Sequence, residues 1–263
     1  PFGINVTLFA ELEPAWFHKV FEIIGKHEVP AIETSARNPE PYLDHIKQTG
    51  AKWIHKAARV RDGVKAAKLG ADALTIIGSE EGGHPGAERN ATSVVGPLLV
   101  DSVDVPVCIG GGFCDGRGLA AVLALGGEAL YMGTRFCASR ECIIHPNAKQ
   151  AIVDMAYNET DYILMSIGDP VRCVRNQLSQ DVLEAEKNND TKSLMRLLGP
   201  MLVMDQEGRM PVNSGNMEEG IAPFGMVGGR INEIKSCQQI IDDIVAEAEV
   251  VVKKMAEGKY WKA

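Results

Sequence analysis

The sequence predicts an α/β protein built on a parallel sheet, and three observations lead there. Six short apolar, β-branched runs recur along the first half, beginning 21 to 32 residues apart, the length of one strand–helix unit. Amphipathic helical stripes fill the intervals. The turns GAKWI (50–54), GADAL (70–74) and GGEAL (126–130) each set a glycine after a helix and before a strand, as in a left-handed helix stop. Strand–helix alternation with nearly continuous apolar strands implies a parallel sheet covered on both faces.

The six runs are FGINVTLF (2–9), PAIETSA (30–36), AKWIHKA (51–57), ALTIIGS (73–79), VPVCIGGG (105–112) and ALYMGTRF (129–136). Trp16, Phe17, Val20, Phe21 and Ile24 form one helical stripe, and Leu119, Val122, Leu123 and Leu125 form another. After about residue 140 the pattern changes to helices and irregular loops: two helices over 179–205, loop over 206–230, and a long amphipathic helix over 231–257. A doubly wound six-stranded sheet fits this order. So does an eight-stranded barrel without its first two units, and a start at Pro1 within a strand-like run favours the barrel. The expected division is barrel units over 1–145, a helical and loop insertion covering the active site over 146–230, and a C-terminal helix packing on the barrel over 231–263.

Composition narrows the function classes. A net charge of -8 without Lys/Arg runs argues against nucleic acid or an anionic membrane as the main partner. No run of eighteen apolar residues and no signal-peptide pattern occurs, so a cytoplasmic protein is expected. The six cysteines show no C-x-x-C pairing and read as buried reduced thiols. No metal site is expected.

Function in parallel α/β folds sits at the strand ends and the loops that follow. The last two runs end in GGGFCDGRG (110–118) and GTRF (133–136), where glycines let the backbone approach a phosphate and Asp115 caps the next helix, whose N–H groups attract anions. This is not the first-strand G-x-G-x-x-G context of a dinucleotide site. Lys56 lies on the strand face opposite His55, so His55 is expected to be structural and Lys56 to reach the mouth. His18, His27, His45 and His145 fall on helices or their ends. His84, in GSEEGGHPG (78–86), follows a strand end on a backbone nearly free of side chains, with Glu80 and Glu81 nearby. An imidazole there suits a general base that takes a proton from carbon.

GSEEGGHPG, PVCIGGGFCDGRGLAAVLALGGEALYMGTRF and KWIHKAARVRDGVKAAKLGADALTIIG together resemble the nitronate monooxygenase (2-nitropropane dioxygenase) family. The likeness runs from Phe2 to Phe136 and resumes at GMVGGRI (225–231). It implies an FMN-dependent TIM-barrel oxidoreductase, here lacking the first two βα units and their flavin contacts. His84 would be the catalytic base. Gly110, Gly111, Gly112, Gly133 and Thr134 would hold the FMN phosphate, Asn5 and Lys56 would contact the ring or ribityl chain, and Ser79 and Gly83 would lie along the flavin. The substrate would be a nitronate, nitroalkane or similar carbanion-forming small molecule, with O2 as co-substrate. The alternatives are an NAD(P)H-dependent reductase of enoyl thioesters or quinones, and a non-catalytic subunit of an acyl-CoA-handling complex. A homo-oligomer, or a partner chain supplying the missing units, is also open. The sequence departs from the family at Glu81 and Gly82, where relatives more often carry small apolar residues.

Overall fold

The computed structural model describes residues 2–8, 13–202, 211–218 and 220–258. Residues 1, 9–12, 203–210, 219 and 259–263, within segments assigned above, lie outside them. The chain divides into two compact units. One comprises Pro1–Ile77, Asn90–Gly110 and Val122–Leu130; the other comprises Gly78–Arg89, Gly111–Ala121 and Tyr131–Ala263.

The first unit carries the parallel sheet. Strands β1 (Gly3–Thr7), β2 (Ala31–Ser35), β3 (Lys52–Ala57), β4 (Ala73–Ile77), β5 (Val107–Gly110) and β6 (Ala129–Tyr131) lie side by side in sequence order. The pairs from β1 to β5 are parallel. No reversal of strand order occurs, unlike a doubly wound sheet, which turns at a switch point. Each observed strand falls within its expected run. The connecting helices are α1 (Pro14–Lys26), α2 (Leu43–Gln48), α3 (Val60–Lys68), α4 (Thr92–Val100) and α5 (Gly116–Ala124). Gly50, Gly70 and Gly126 have φ of 71°, 100° and 85°, so the repeated turn is a left-handed helix stop in all three copies.

Residue choice follows burial on both faces. Phe17, Phe21 and Ile24 of α1 are buried, as are Ile32, Leu74, Ile76 and Ile109 on the strands. Strand β3 alternates: Trp53, His55 and Ala57 are buried, while Ile54 and Lys56 are half-buried. His55 is structural as expected. Its Nδ1 lies 2.9 Å from Thr34 Oγ1, and the Trp53 indole donates to the same oxygen at 2.8 Å. Indole nitrogen only donates, and the Thr34 oxygen still has a lone pair and a proton to offer, so the direction of its bond with His55 follows the imidazole tautomer.

The second unit departs further from expectation. The run expected to continue as strand to residue 136 turns into α6 (Thr134–Cys137), followed by α7 (Pro146–Asp154). A segment read as helices and loops holds an antiparallel hairpin, β7 (Thr160–Ile163) with β8 (Val171–Val174). Its four-residue strands are too short for a period-2 pattern to stand out. Helices α8 (Gln177–Lys187) and α9 (Thr191–Leu202) occur as read, and Ile163, Val171, Val182 and Leu194 share a buried cluster. A short α10 (Pro211–Ser214) follows. The last helix, α11 (Cys237–Ala256), starts later than residue 231 because Ser236 and Gln239 form a capping box. Among the described residues, no helix is long and apolar enough to cross a membrane.

Candidate active site

The loop after β4 holds His84, and it is fastened on two sides. Gly83 donates to the Arg172 carbonyl at 2.9 Å, and Arg172 N–H returns a bond to the Gly83 carbonyl at 2.7 Å. The Ser79 carbonyl accepts from Tyr162 Oη at 2.6 Å and from Arg172 Nε at 3.1 Å. From the other direction, Met226 N–H donates to the Glu80 carbonyl at 3.2 Å. A Cβ on Gly82 would overlap the Pro223 carbonyl and the backbone of Phe224 and Gly225, so Gly82 is set by close backbone packing. This accounts for one of the two departures from the family pattern.

Glycine therefore does not loosen this loop. Gly83 has φ of 86°, and a Cβ built there meets nothing within 4 Å. The His84 side chain is 59% exposed, and its Nε2 lies 3.7 Å from Asp169 Oδ1. That is ion-pair reach but too long for a hydrogen bond.

The second glycine turn also belongs to this unit. Gly111 and Gly112 have φ of 107° and 78°, a conformation that side chains rarely adopt. The helix start that follows differs from expectation. Asp115 does cap α5, accepting from Gly118 N–H at 3.2 Å, but Glu247 also accepts from Gly116 N–H at 2.8 Å. Resident carboxylates thus take two N–H groups of that helix start. Burial raises the Asp115 carboxyl, but hydrogen bonds from Arg117 and Gly118 N–H, with the charges of Arg230 and Arg117, outweigh it and hold it below its usual range. A Cβ on Gly133 meets nothing within 4 Å. The neighbouring Thr134 is buried, and its hydroxyl oxygen accepts from Gly225 N–H at 3.0 Å.

Asn5, Lys56 and Gly110 belong to the first unit. Asn5 Nδ2 donates to Glu33 Oε2 at 2.6 Å, Thr75 Oγ1 donates to Glu33 Oε1 at 3.0 Å, and Thr7 Oγ1 donates to Asn5 Oδ1 at 2.8 Å. The Asn5 carboxamide is thereby fixed in one orientation. Lys56 is half-buried, in register with Thr75 and, one strand on, Cys108. Burial, with the charges of Glu33 and Glu128, raises the Cys108 thiol against a hydrogen bond from Thr75, so it stays protonated.

The structure brings Ser79, Gly83, His84, Gly111, Gly112, Gly133 and Thr134 into one unit. Sequence reading missed Glu33, Tyr162, Asp169 and Arg172. Glu33 left a signal, because a carboxylate within a strand buried on both faces is an outlier. The other three lie on or between two strands without a recognisable pattern.

The FMN implied by the sequence likeness makes two demands on this geometry. A flat ring and a phosphate need backbone bare of side chains. Gly83 and Gly133 face open space, and Gly111–Gly112 turn in the left-handed region, so these residues fit such a group.

Comparison with known proteins agrees. The profile of the nitronate monooxygenase family matches residues 2–247. The chain is 28% identical over 280 residues to the (3aS,4S,5R,7aS)-5-hydroxy-7a-methyl-1-oxo-octahydro-1H-indene-4-carboxyl-CoA dehydrogenase of Rhodococcus jostii, covering 94% of this chain and 78% of that one. It is 26% identical to a probable nitronate monooxygenase of Staphylococcus saprophyticus, covering 96% and 72%. The solved structure of FabK from Thermotoga maritima is 35% identical with a TM-score of 0.87, covering 98% of this chain and 78% of that chain. A nitroalkane oxidase from Streptomyces ansochromogenes, 20% identical, shares the fold with a TM-score of 0.77 over 97% and 82%. The chain belongs to the nitronate monooxygenase family and is a flavin-dependent oxidoreductase with FMN as its cofactor.

Proposed function

We propose that the protein oxidises alkyl nitronates, or nitroalkanes and similar carbon acids that pass through a carbanion, with dioxygen as the electron acceptor. The carrying observation is His84: an exposed imidazole on a loop tied down at Ser79, Glu80 and Gly83, with Asp169 at ion-pair reach. A base that removes a proton from carbon must be held still and must be open to the substrate. His84 meets both conditions. Asp169 faces the imidazolium that forms once the proton is taken.

FMN, when bound, supplies the two-electron redox chemistry. Gly110, Gly111, Gly112, Gly133 and Thr134 would hold its phosphate, Asn5 and Lys56 its ring or ribityl chain, and Ser79 and Gly83 would lie along it. The six strands are read as six successive strands of an eight-stranded βα barrel, with 1–145 as barrel units, 146–230 as the cover of the active site and 231–263 as the C-terminal helix on the barrel. Six free thiols suit the reducing cytoplasm.

A second reading, an NAD(P)H-dependent reductase of enoyl thioesters or quinones, draws support from the likeness to FabK and to a carboxyl-CoA dehydrogenase. Two measurements on the purified flavoprotein separate the readings. Oxygen uptake with ethylnitronate and slow anaerobic reduction by NADH are expected. Rapid reduction by NADH or NADPH without nitronate-dependent oxygen uptake would transfer the assignment to the reductase.

A further inference from the structure

Arg172 is 7% exposed. Its Nε donates to the Ser79 carbonyl at 3.1 Å and its Nη1 to Thr160 Oγ1 at 2.7 Å, and its guanidinium carbon stands 4.1 Å from the centroid of the Tyr162 ring. None of these partners carries a negative charge. Among the described residues no carboxylate pairs with it, and a nearly buried cation without a counter-ion is costly. Its Nη2 has no hydrogen-bond partner among the described residues.

The other arginine buried among the described residues makes the contrast. Arg135 spends Nη2 on the carbonyls of Ala138 and Glu233, and its unpartnered Nε is sealed off. That is a structural arginine. Arg172 keeps an unpartnered donor edge, and its backbone is laddered to Gly83, the residue before His84. A second guanidinium, exposed Arg89 of the same loop, lies 5.9 Å from the Tyr162 centroid. It too has no carboxylate partner among the described residues.

We propose that Arg172 is the residue that receives the substrate's negative charge, as a planar oxyanion at its unpartnered Nη2, with Arg89 adding to the positive field. This rests on the reading of His84 as base. When the imidazole takes the proton, the C–H electron pair stays with the substrate and moves onto its nitro or carbonyl oxygens. One negative charge appears there and one positive charge on the ring. A guanidinium on the strand laddered to the base's loop, with no carboxylate paired to it among the described residues, matches that charge without reorganisation.

The test uses the holoenzyme with ethylnitronate as substrate and nitrate, an unreactive planar anion, as probe. In Arg172→Gln, the ethylnitronate KM and the nitrate inhibition constant are expected to rise roughly 10- to 100-fold. Arg172→Lys should recover much of this loss. The KM should depend on ionic strength in the wild type and the Lys variant, and that dependence should fade in the Gln variant. Nitrate should also raise the melting temperature of the wild type and the Lys variant only. Equal damage by Gln and Lys, or an unchanged nitrate constant, would overturn the proposal, since a purely structural arginine gives the same loss with either. If Arg172→Gln fails to fold, Arg89→Gln takes its place: a several-fold rise in both constants supports the proposal, and no change overturns it. His84→Asn reports separately, because retained turnover of nitroethane there would end the base reading while leaving the nitrate result to stand.

Discussion

Gly83 and Arg172 exchange two backbone hydrogen bonds, at 2.9 and 2.7 Å, and so join the loop carrying His84 to strand β8. Sequence-distant strands rarely meet a glycine loop this way by accident, since each such bond must offset the entropy of ordering the segment. The tie explains how a loop this rich in glycine presents its histidine in one position.

Tyr162→Phe tests the second tie. It removes the 2.6 Å bond to the Ser79 carbonyl while keeping the ring beneath Arg172. Stability to denaturant should fall by about 0.5–1.5 kcal/mol, and turnover of nitroethane should fall with it because the base is less well held. Unchanged stability and unchanged kcat together would show that this bond does not position the loop.

The glycines divide into two kinds with opposite expectations. Gly82→Ala places a methyl group against the backbone of Pro223–Gly225, which cannot yield as a side chain would, and should cost about 1–3 kcal/mol. Gly133→Ala enters open space at a φ of -106°, so the stability of FMN-free protein should change by less than about 0.5 kcal/mol. FMN retention through gel filtration should nevertheless weaken in Gly133→Ala. Full retention would place the phosphate elsewhere.

Acid should destabilise the first unit through His55. Burial lowers this imidazole from 6.5 to about 4, against the Asp62 charge that raises it. The unfolded chain therefore binds the proton more readily, so stability is complete above pH 6.5 and is lost as pH falls towards 4. The full loss is about 3 kcal/mol at about 1.4 kcal/mol per pKa unit. Unfolding curves across this window should show the decline, and His55→Gln should flatten it. An unchanged slope in the variant would assign the acid sensitivity to other groups.

Much of this was legible in the sequence, for identifiable reasons. Gly50, Gly70 and Gly126 announced helix stops because a left-handed residue is a local requirement that one residue type meets. The β4 run was readable because its burial is nearly continuous. His55 and Lys56 separated correctly by strand alternation. What escaped depended on contacts distant in sequence. Arg172 and Tyr162 sit on four-residue strands whose place is given by the loop they grip, and Gly82 owes its identity to a backbone passing over it. Glu247, which occupies an N–H of the α5 start, lies on a helix whose pattern says nothing about α5.

The most direct measurement of the central claim compares His84→Asn with wild type on nitroethane and on preformed ethylnitronate. With FMN still bound, turnover of neutral nitroethane should fall about 100-fold or more, as for loss of a general base, while turnover of the nitronate changes little. Equal loss on both substrates, or none on either, would contradict proton removal by His84.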